Sequence, residues 1–397
     1  MIGKRMAYLR RKHDLSQEQL GADLAFSSSH IGNLENGRHP LTDELRTALG
    51  KRFQVDGDYF QEVPPNPVLN FETERLISLV LMEEKAPQLF ENPSLISVEQ
   101  ELALQLLRVA YLYKQRRYEE GDRIRDEYLA IFLPNVAAPE RGYTLQKCLY
   151  LYEYEMNYKE NDYGACERTA GLLLQIVEDD VQRVKALQLL AASLFRQRNY
   201  SQAFLIVNGA LESAKELKEK SVLDSIYLLQ AGLFIHLKFY GEALKWLGKV
   251  EDSEARLYRG KIYRSDGRIE EAISVYEEAL REATRPGLMV KALTSLVGCH
   301  LGMGDLERAE SCLGRLEQQP LRRYDEWVIR SFRCELMLYR GQIREHRLEL
   351  KKVVRFFSEH GLVHDLEQVY GYLSRWHYGR GDYREAANYF VALEALR

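Results

Sequence analysis

The chain has 397 residues, 46% of them hydrophobic, and a formal charge of −4 at pH 7; it is long enough for two or more domains and is not a generic nucleic-acid coat. Residues 1–60 carry nine basic against eight acidic side chains, leaving −5 for the remainder, so any affinity for DNA must come from local placement of charge and from two copies per site. Five cysteines, Cys148, Cys166, Cys299, Cys312 and Cys334, are an odd number without C-x-x-C spacing, which argues for buried free thiols in a reducing compartment and against a disulfide framework.

The opening MIGKRMAYLRRKHD has charge but no apolar core of a signal peptide. No apolar run approaches the roughly 20 residues that span a membrane, and Leu76 to Met82, among the longest, ends at Glu83. A cytoplasmic chain without membrane contact is expected. Within Ile2 to Asp14, Met6 and Leu9 share one stripe while Lys4, Arg5, Arg10, Arg11 and Lys12 cluster before the first acid, a grouping that favours phosphates. Ser16 with Gln19 forms a capping box that starts a helix carrying Leu20 and Leu24 on one face. Past Ala25 and Phe26, the run Ser27, Ser28, Ser29 supplies a second N-cap, Ile31 and Leu34 give the second helix an apolar side, and Gly37 can close it in the left-handed conformation. Thr42 caps a further helix whose Leu45, Leu49 and Phe53 face inward, and VDGDYF supplies a turn and a closing aromatic. In VPPNPVLN, Val63 to Asn70, three prolines in four residues predict an extended spacer that is neither helix nor central strand. A helical pattern resumes from Phe71 to Phe90, with Leu76, Val80 and Leu81 on one side, and breaks at Asn92-Pro93.

The stretch LSQEQLGADLAFSSSHIGNLENGRHP, Leu15 to Pro40, resembles the helix-turn-helix of the phage-repressor and Xre type, with S-Q-E-Q-L opening the first motif helix and I-x-x-L-E-N-G closing the second. The resemblance implies a DNA-facing set of Gln17, Ser27, Ser28, Ser29, His30, Asn33, Asn36 and Arg38. Gln17 would lie against a phosphate and Asn36 and Arg38 would grip the backbone, while Ser28, Ser29 and Asn33 would reach base edges in the major groove. Glu35 is expected to pair with Arg10. Two residues depart from the family. Ala25 stands where it prefers Gly, costing on the order of 1 kcal/mol in a left-handed turn, and Gly21 stands where it prefers Ala, costing roughly 1 kcal/mol in a helix interior. Both suggest a head less stable than a minimal repressor domain.

From Ser97 onward the sequence repeats. A tyrosine or aliphatic residue followed three later by a small one recurs at Tyr118/Gly121, Tyr163/Cys166, Tyr200/Ala203, Tyr240/Ala243, Ile269/Ala272, Leu306/Ala309 and Tyr383/Ala386, with Ile343/His346 a degenerate copy. Spacings run from 29 to 45 residues and cluster near 37 to 40, and turns such as KQRRY, RQRNY, GMGDL and GRGDY precede the copies. About eight helix pairs are expected, stacked into a continuous core that no single pair could form. This part resembles a tetratricopeptide solenoid. The expected fold is therefore all-α: a helix-turn-helix domain over residues 1–61, a Pro-rich linker and linker helix over 62–96, and a right-handed tetratricopeptide-repeat solenoid over 97–397. Counting back from the landmarks, the groove formed by the first helices would present Tyr158, Lys159, Gln188, Phe195, Arg196, His236, Lys261, Arg264, Glu335, Tyr339, Arg375 and Tyr378 as candidate peptide contacts.

An Xre-type head, a Pro-rich linker and a repeat tail in one chain resemble the peptide-sensing regulators of Gram-positive bacteria called RRNPP, after Rap, Rgg, NprR, PlcR and PrgX. That resemblance implies a sequence-specific transcriptional regulator, a homodimer or higher oligomer, that binds a short signalling oligopeptide and a double-stranded DNA operator. Asn157 and Asn208 are the only candidates for that family's groove asparagines, and Asn208 falls on a second helix. Two alternatives stand beside it: a peptide-regulated binder of a response regulator, and a repressor whose repeats only oligomerise. No enzyme, cofactor or metal site is expected: His360 and His364 lack an H-E-x-x-H pattern, and Gly302 and Gly304 lack the preceding strand and phosphate-loop Lys.

Overall fold

The structure is a computed structural model that describes residues 1–62, 64, 67–82, 97–135 and 142–396. Among these residues it is built from helices, with no strand. The first sixty residues form α1 (Ile2–Lys12), α2 (Gln17–Leu24), α3 (Ser28–Glu35), α4 (Asp43–Phe53) and a 3-10 turn at Gly57–Phe60. Their apolar faces meet in one core of Met6, Leu9, Leu20, Ile31, Leu34 and Leu49, closed by Leu45, Phe53 and Phe60. Local chemistry sets the helix ends. Ser16 Oγ accepts from Gln19 N at 3.0 Å while Gln19 Oε1 accepts from Ser16 N at 2.7 Å, satisfying two otherwise orphaned amides. Ser27 Oγ accepts from His30 N, Thr42 Oγ1 accepts from Leu45 N, and Gly37 is left-handed at φ 68°.

Ala25 is left-handed at φ 59°, as expected, but the expected penalty at Gly21 does not hold. A Cβ on Gly21 would lie 2.5 Å from the Phe26 carbonyl oxygen, and Phe26 N donates to Gly21 O at 2.8 Å. The turn doubles back onto α2 so closely that only glycine fits, so Gly21 is required here rather than merely tolerated.

The second difference is at the prolines. Helix α5 spans Pro67–Leu81, so Pro67 to Asn70 are helical rather than part of an extended spacer. Proline is tolerated in a first helical turn, where its missing N–H would have had no partner. The expected break at Asn92-Pro93 lies outside the described residues. Leu76, Ile77, Val80 and Leu81 are buried in one cluster with Leu102, Leu106 and Val109 of α6 (Val98–Lys114). Glu74 of α5 also receives Lys147 Nζ at 2.9 Å.

The α6 helix also holds the head. Arg5, 1% exposed, reaches Glu101 with Nη2 at 2.6 Å and Nε at 2.8 Å. Its Nη1 donates to the Tyr59 carbonyl, and its guanidinium lies 4.5 Å from the Tyr59 ring centroid. Tyr59 Oη donates to the other Glu101 oxygen at 2.9 Å. Tyr8 adds an edge contact to Tyr128, 5.1 Å between centroids. A buried ion pair is tolerable only when its remaining hydrogen-bonding capacity is used; both partners here are used repeatedly.

Eight helix pairs follow among the described residues. The first is α6 with α7 (Tyr118–Ile124), which runs through a π-turn at Arg125–Leu129 into the short α8 (Ala130–Phe132). Next come α9 (Tyr143–Glu160) with α10 (Tyr163–Ile176), α11 (Asp180–Arg196) with α12 (Tyr200–Leu217), and α13 (Lys220–His236) with α14 (Tyr240–Leu247). Then come α15 (Ser253–Ser265) with α16 (Ile269–Glu282), and α17 (Pro286–Met303) with α18 (Leu306–Glu317). The last are α19 (Arg323–Tyr339) with α20 (Ile343–Glu359), and α21 (Val363–Gly379) with α22 (Tyr383–Glu394). Every second helix begins at a landmark read from the sequence, the degenerate Ile343 included. Two residues earlier stands a left-handed residue each time: Arg116, Asn161, Arg198, Lys238, Gly267, Gly304, Gly341 and Gly381. Three residues after the landmark the small side chain is buried, at 0% exposure for Cys166, Ala203, Ala243, Ala272 and Ala309. His346 takes this place in the seventh pair, 4% exposed, and burial together with His377 lowers its pKa, favouring the neutral ring.

The contacts divide the chain into two compact units: residues 1–158 with 162–229, and residues 230–397 with 159–161. The first contains the head, α5 and the first repeats; the second contains the repeats from α14 to α22. All five cysteines are buried and free.

Two outcomes follow. Gly21→Ala should lower stability by about 1–3 kcal/mol despite alanine's helix preference, measured by urea unfolding of the full chain. Glu101→Ala should cost about 3–5 kcal/mol, because Arg5 is left buried and unpaired. The double change Arg5→Met with Glu101→Leu should recover most of that loss.

Candidate nucleic-acid interface and ligand cavity

The basic residues of α1 split between two tasks. Arg10 turns inward and clasps Glu35 in two bonds, Nε to Oε1 at 2.5 Å and Nη2 to Oε2 at 3.0 Å, with Nη1 on the Leu15 carbonyl. This is the expected Arg10–Glu35 pair, and it is the post on which α3 stands. The Gln17 amide donates to the same carboxylate at 2.8 Å, so that side chain is engaged with Glu35.

On α3, Ile31, Leu34 and Glu35 face inward, while Ser28 and Ser29 are exposed and Asn33 is half-buried. Ser27 is spent as the cap. His30 stacks on Phe26 at 4.7 Å between centroids and meets His39 at 5.3 Å. Past the helix, Asn36 and Arg38 are exposed, and Asn36 Oδ1 accepts from Lys4 Nζ at 3.3 Å. The expected DNA-facing residues thus divide into a serine-rich exposed N-terminal edge and a polar, basic segment beyond the C-terminus.

In the repeats, the candidate peptide residues all lie on first helices. Within the first unit they are largely engaged. Tyr158 packs edge-on to Tyr163, and Phe195 to Tyr200. Tyr378 meets Tyr383 the same way in the second unit. Each ring sits five residues before a landmark, clasping the turn between paired helices. Arg196 reaches the Tyr158 hydroxyl, and Gln188 donates to Ser225 Oγ at 2.9 Å. Lys159 and His236 are half-buried, and Lys261 is exposed. Asn208 lies on the second helix α12, as counted.

Three of the candidates converge in the second unit. Arg264 of α15, Glu335 of α19 and Arg375 of α21 line one cavity of about 290 Å³ together with Gly298, Phe332 and Tyr372. Glycine at 298 leaves room for Arg264, since a Cβ there would stand 2.9 Å from Arg264 Nη1, while one on Gly371 would meet Arg375 Nη1 at an ordinary contact distance of 3.5 Å. Glu335 is 9% exposed and, among the described residues, has no hydrogen-bond partner and no cation within ion-pair distance. Burial pushes its pKa up to about 7 against the opposing pull of Arg375 and Arg264. Tyr339, another candidate, is raised by burial and by Glu335. The lining residues Gly298, Ser331, Phe332 and Tyr372 were not singled out from the sequence. The available signal was glycine inside long helices, which costs about 1 kcal/mol per position without a local reason.

Among the described residues, no group of His, Cys, Asp and Glu could hold a metal, and no helix is long and apolar enough to cross a membrane.

The raised Glu335 pKa fixes a sign. Its carboxyl contributes stability that is full below the ordinary carboxylate range and is lost as pH rises through about 7. Glu335→Gln should remove that component. The stability of the natural chain relative to the variant should therefore fall between about pH 4.5 and about pH 7, by up to about 3 kcal/mol, and then level off, as read by thermal unfolding across pH.

No family model matches the chain, and no curated protein matches it. Solved structures do. A Rap protein complexed with competence and sporulation factor aligns over 83% of this chain and 96% of its own, at 16% identity and a TM-score of 0.65. The apo form of RapI aligns over 83% and 97%, at 11% identity and a TM-score of 0.47. PlcR of Bacillus thuringiensis, in complex with the peptide PapR7 and DNA, aligns over 70% and 98%, at 15% identity and a TM-score of 0.31. The first likeness bears on the fold; the others add nothing to it. In fold, the chain is similar to the Rap protein, a member of the RRNPP group: an all-helical chain of stacked helix pairs.

Proposed function

We propose that the protein is a DNA-binding transcriptional regulator controlled by a short signalling peptide. In this reading the first sixty residues are an Xre-type helix-turn-helix head, α3 is the recognition helix, and the first helices of the repeats form the peptide groove. The observation that carries the reading is the posture of α3. Its inner face is locked by the Arg10–Glu35–Gln17 cluster, while Ser28 and Ser29 stand exposed at the end that enters a major groove. Asn36 and Arg38 follow, exposed, where phosphates pass. The head is near neutral, so a single copy binds weakly, and two heads on half-sites about 34 Å apart supply what one lacks. Exposed Tyr383, Phe390 and Val391 on α22 support a second copy of this chain as the oligomeric partner.

Control is a matter of linkage. A peptide that binds one arrangement of the repeats more tightly shifts the population toward it, and the buried Arg5–Glu101 pair makes the head follow the first repeat. The test is the affinity of a selected operator with and without a saturating cognate peptide; equal affinities sink the linkage. Asn33→Ala should relax preference at one operator position and cost about 1–3 kcal/mol on the preferred site. Arg38→Ala should instead weaken all duplexes evenly and make the salt dependence shallower by about one unit. Footprinting and salt titrations separate the two patterns.

A further inference from the structure

The cavity in the second unit has a composition that ordinary repeat packing does not explain. Glycine at 298, 302 and 371 and serine at 331 line the space, which two guanidinium groups and two carboxyls, Glu335 and Glu367, border. Glu335 is nine-tenths buried, faces that space and has no partner of its own among the described residues. A buried ionisable group left like this is costly, and a ligand that completes it removes the cost. The groups facing it are the cations Arg264 of α15 and Arg375 of α21 and the phenols Tyr372 of α21 and Tyr339 of α19. Glu367, also in the lining, is turned to His364 at 3.5 Å, and α17 presents only Gly298 and Gly302. With Glu335 in its acid form, the border has two cations, two hydrogen-bond donors in the Glu335 carboxyl and the buried Tyr372 hydroxyl, and one carboxylate, Glu367, held toward His364. That set suits an anion with two oxygens.

We propose that this cavity is a carboxylate subsite: Arg264 and Arg375 clasp a carboxylate of a short peptide while Glu335, in its acid form, donates a hydrogen bond to it. The proposal rests on the peptide-sensing reading above and names the chemistry of one end of that ligand. Planar guanidinium groups match a carboxylate in two-pronged fashion. Holding Glu335 protonated couples occupancy to proton uptake, so binding tightens as pH falls through neutrality. The carboxylate can come from the peptide's C-terminus or from an Asp or Glu side chain.

The test is affinity selection by the full chain from three synthetic oligopeptide pools: one with free C-termini, the same pool amidated, and one lacking Asp and Glu. Each is screened at about pH 6 and about pH 8, against the natural chain, Arg375→Gln and Glu335→Gln. Arg375 is exposed and Gln is isosteric with Glu, so both variants should fold; circular dichroism checks this. Loss of binding on amidation assigns the C-terminal carboxylate, and loss only from the acid-free pool assigns a side chain. Either result supports the proposal when Arg375→Gln weakens retention by about ten- to a hundredfold, retention is stronger at the lower pH, and Glu335→Gln flattens that dependence. Equal retention from all pools, unmoved by the variants, overturns the subsite but leaves peptide sensing standing. Enrichment of basic peptides that Glu335→Gln abolishes overturns it in favour of a cation site. No retention from any pool overturns peptide sensing, and the subsite with it.

Discussion

A helix pair closes only where two backbones can approach, and in this chain that approach is set by two residues around each landmark. A left-handed residue two positions before it reverses the chain in the shortest space. A small side chain three positions after it lets the second helix lie against the first. The left-handed residue recurs in every pair and the small side chain in all but the seventh, where buried His346 stands, so within each compact unit neighbouring pairs can bury apolar surface against one another. Aromatic rings at positions 113, 158, 195 and 378 brace the turns by meeting the landmark ring five residues later. Much of what looks like a polar and aromatic groove lining is therefore engaged in holding pairs together.

The head joins this array through charge. Arg5 of α1 is buried against Glu101 and the Tyr59 carbonyl, while Arg11 and Lys12 of the same helix are exposed. Such a pair adds little net stability compared with apolar packing, but it penalises any geometry in which one partner is exposed to an apolar neighbour without the other. It therefore specifies one docking of head on repeat. A head hung on a free spacer would sample many poses; a directional ion pair holds it in one.

The cavity follows a different logic. Stability alone would not leave it so: alanine in place of Gly371 would raise helix propensity and meet Arg375 only at ordinary contact distance, whereas a side chain at Gly298 would displace the Arg264 guanidinium. Instead the helices give up side chains, and a carboxyl is held where burial raises its pKa to about 7. Polar groups placed against the interests of the fold are where ligand chemistry is to be sought.

The local features were legible in the sequence because they depend on a few adjacent residues. The capping box at Ser16, the left-handed Ala25 and the start of every second helix are decided by backbone sterics and short-range hydrogen bonds, whereas the Arg10–Glu35 pair, 25 residues apart, was legible through the resemblance to the helix-turn-helix family. Other features needed the tertiary structure. That Gly21 is obligatory depends on where the Phe26 carbonyl returns, and that Pro67 opens a helix depends on α5 finding an apolar partner in α6. Arg5 looked like one more phosphate-facing cation until its partner, 96 residues away, lay beside it. The convergence of Arg264, Glu335 and Arg375 joins helices 71 and 40 residues apart in the chain, and sequence spacing carries no information about which side chains of stacked repeats share a cavity. Periodicity fixes what each pair is; packing decides which residues meet between pairs, because that depends on the rotation from one repeat to the next.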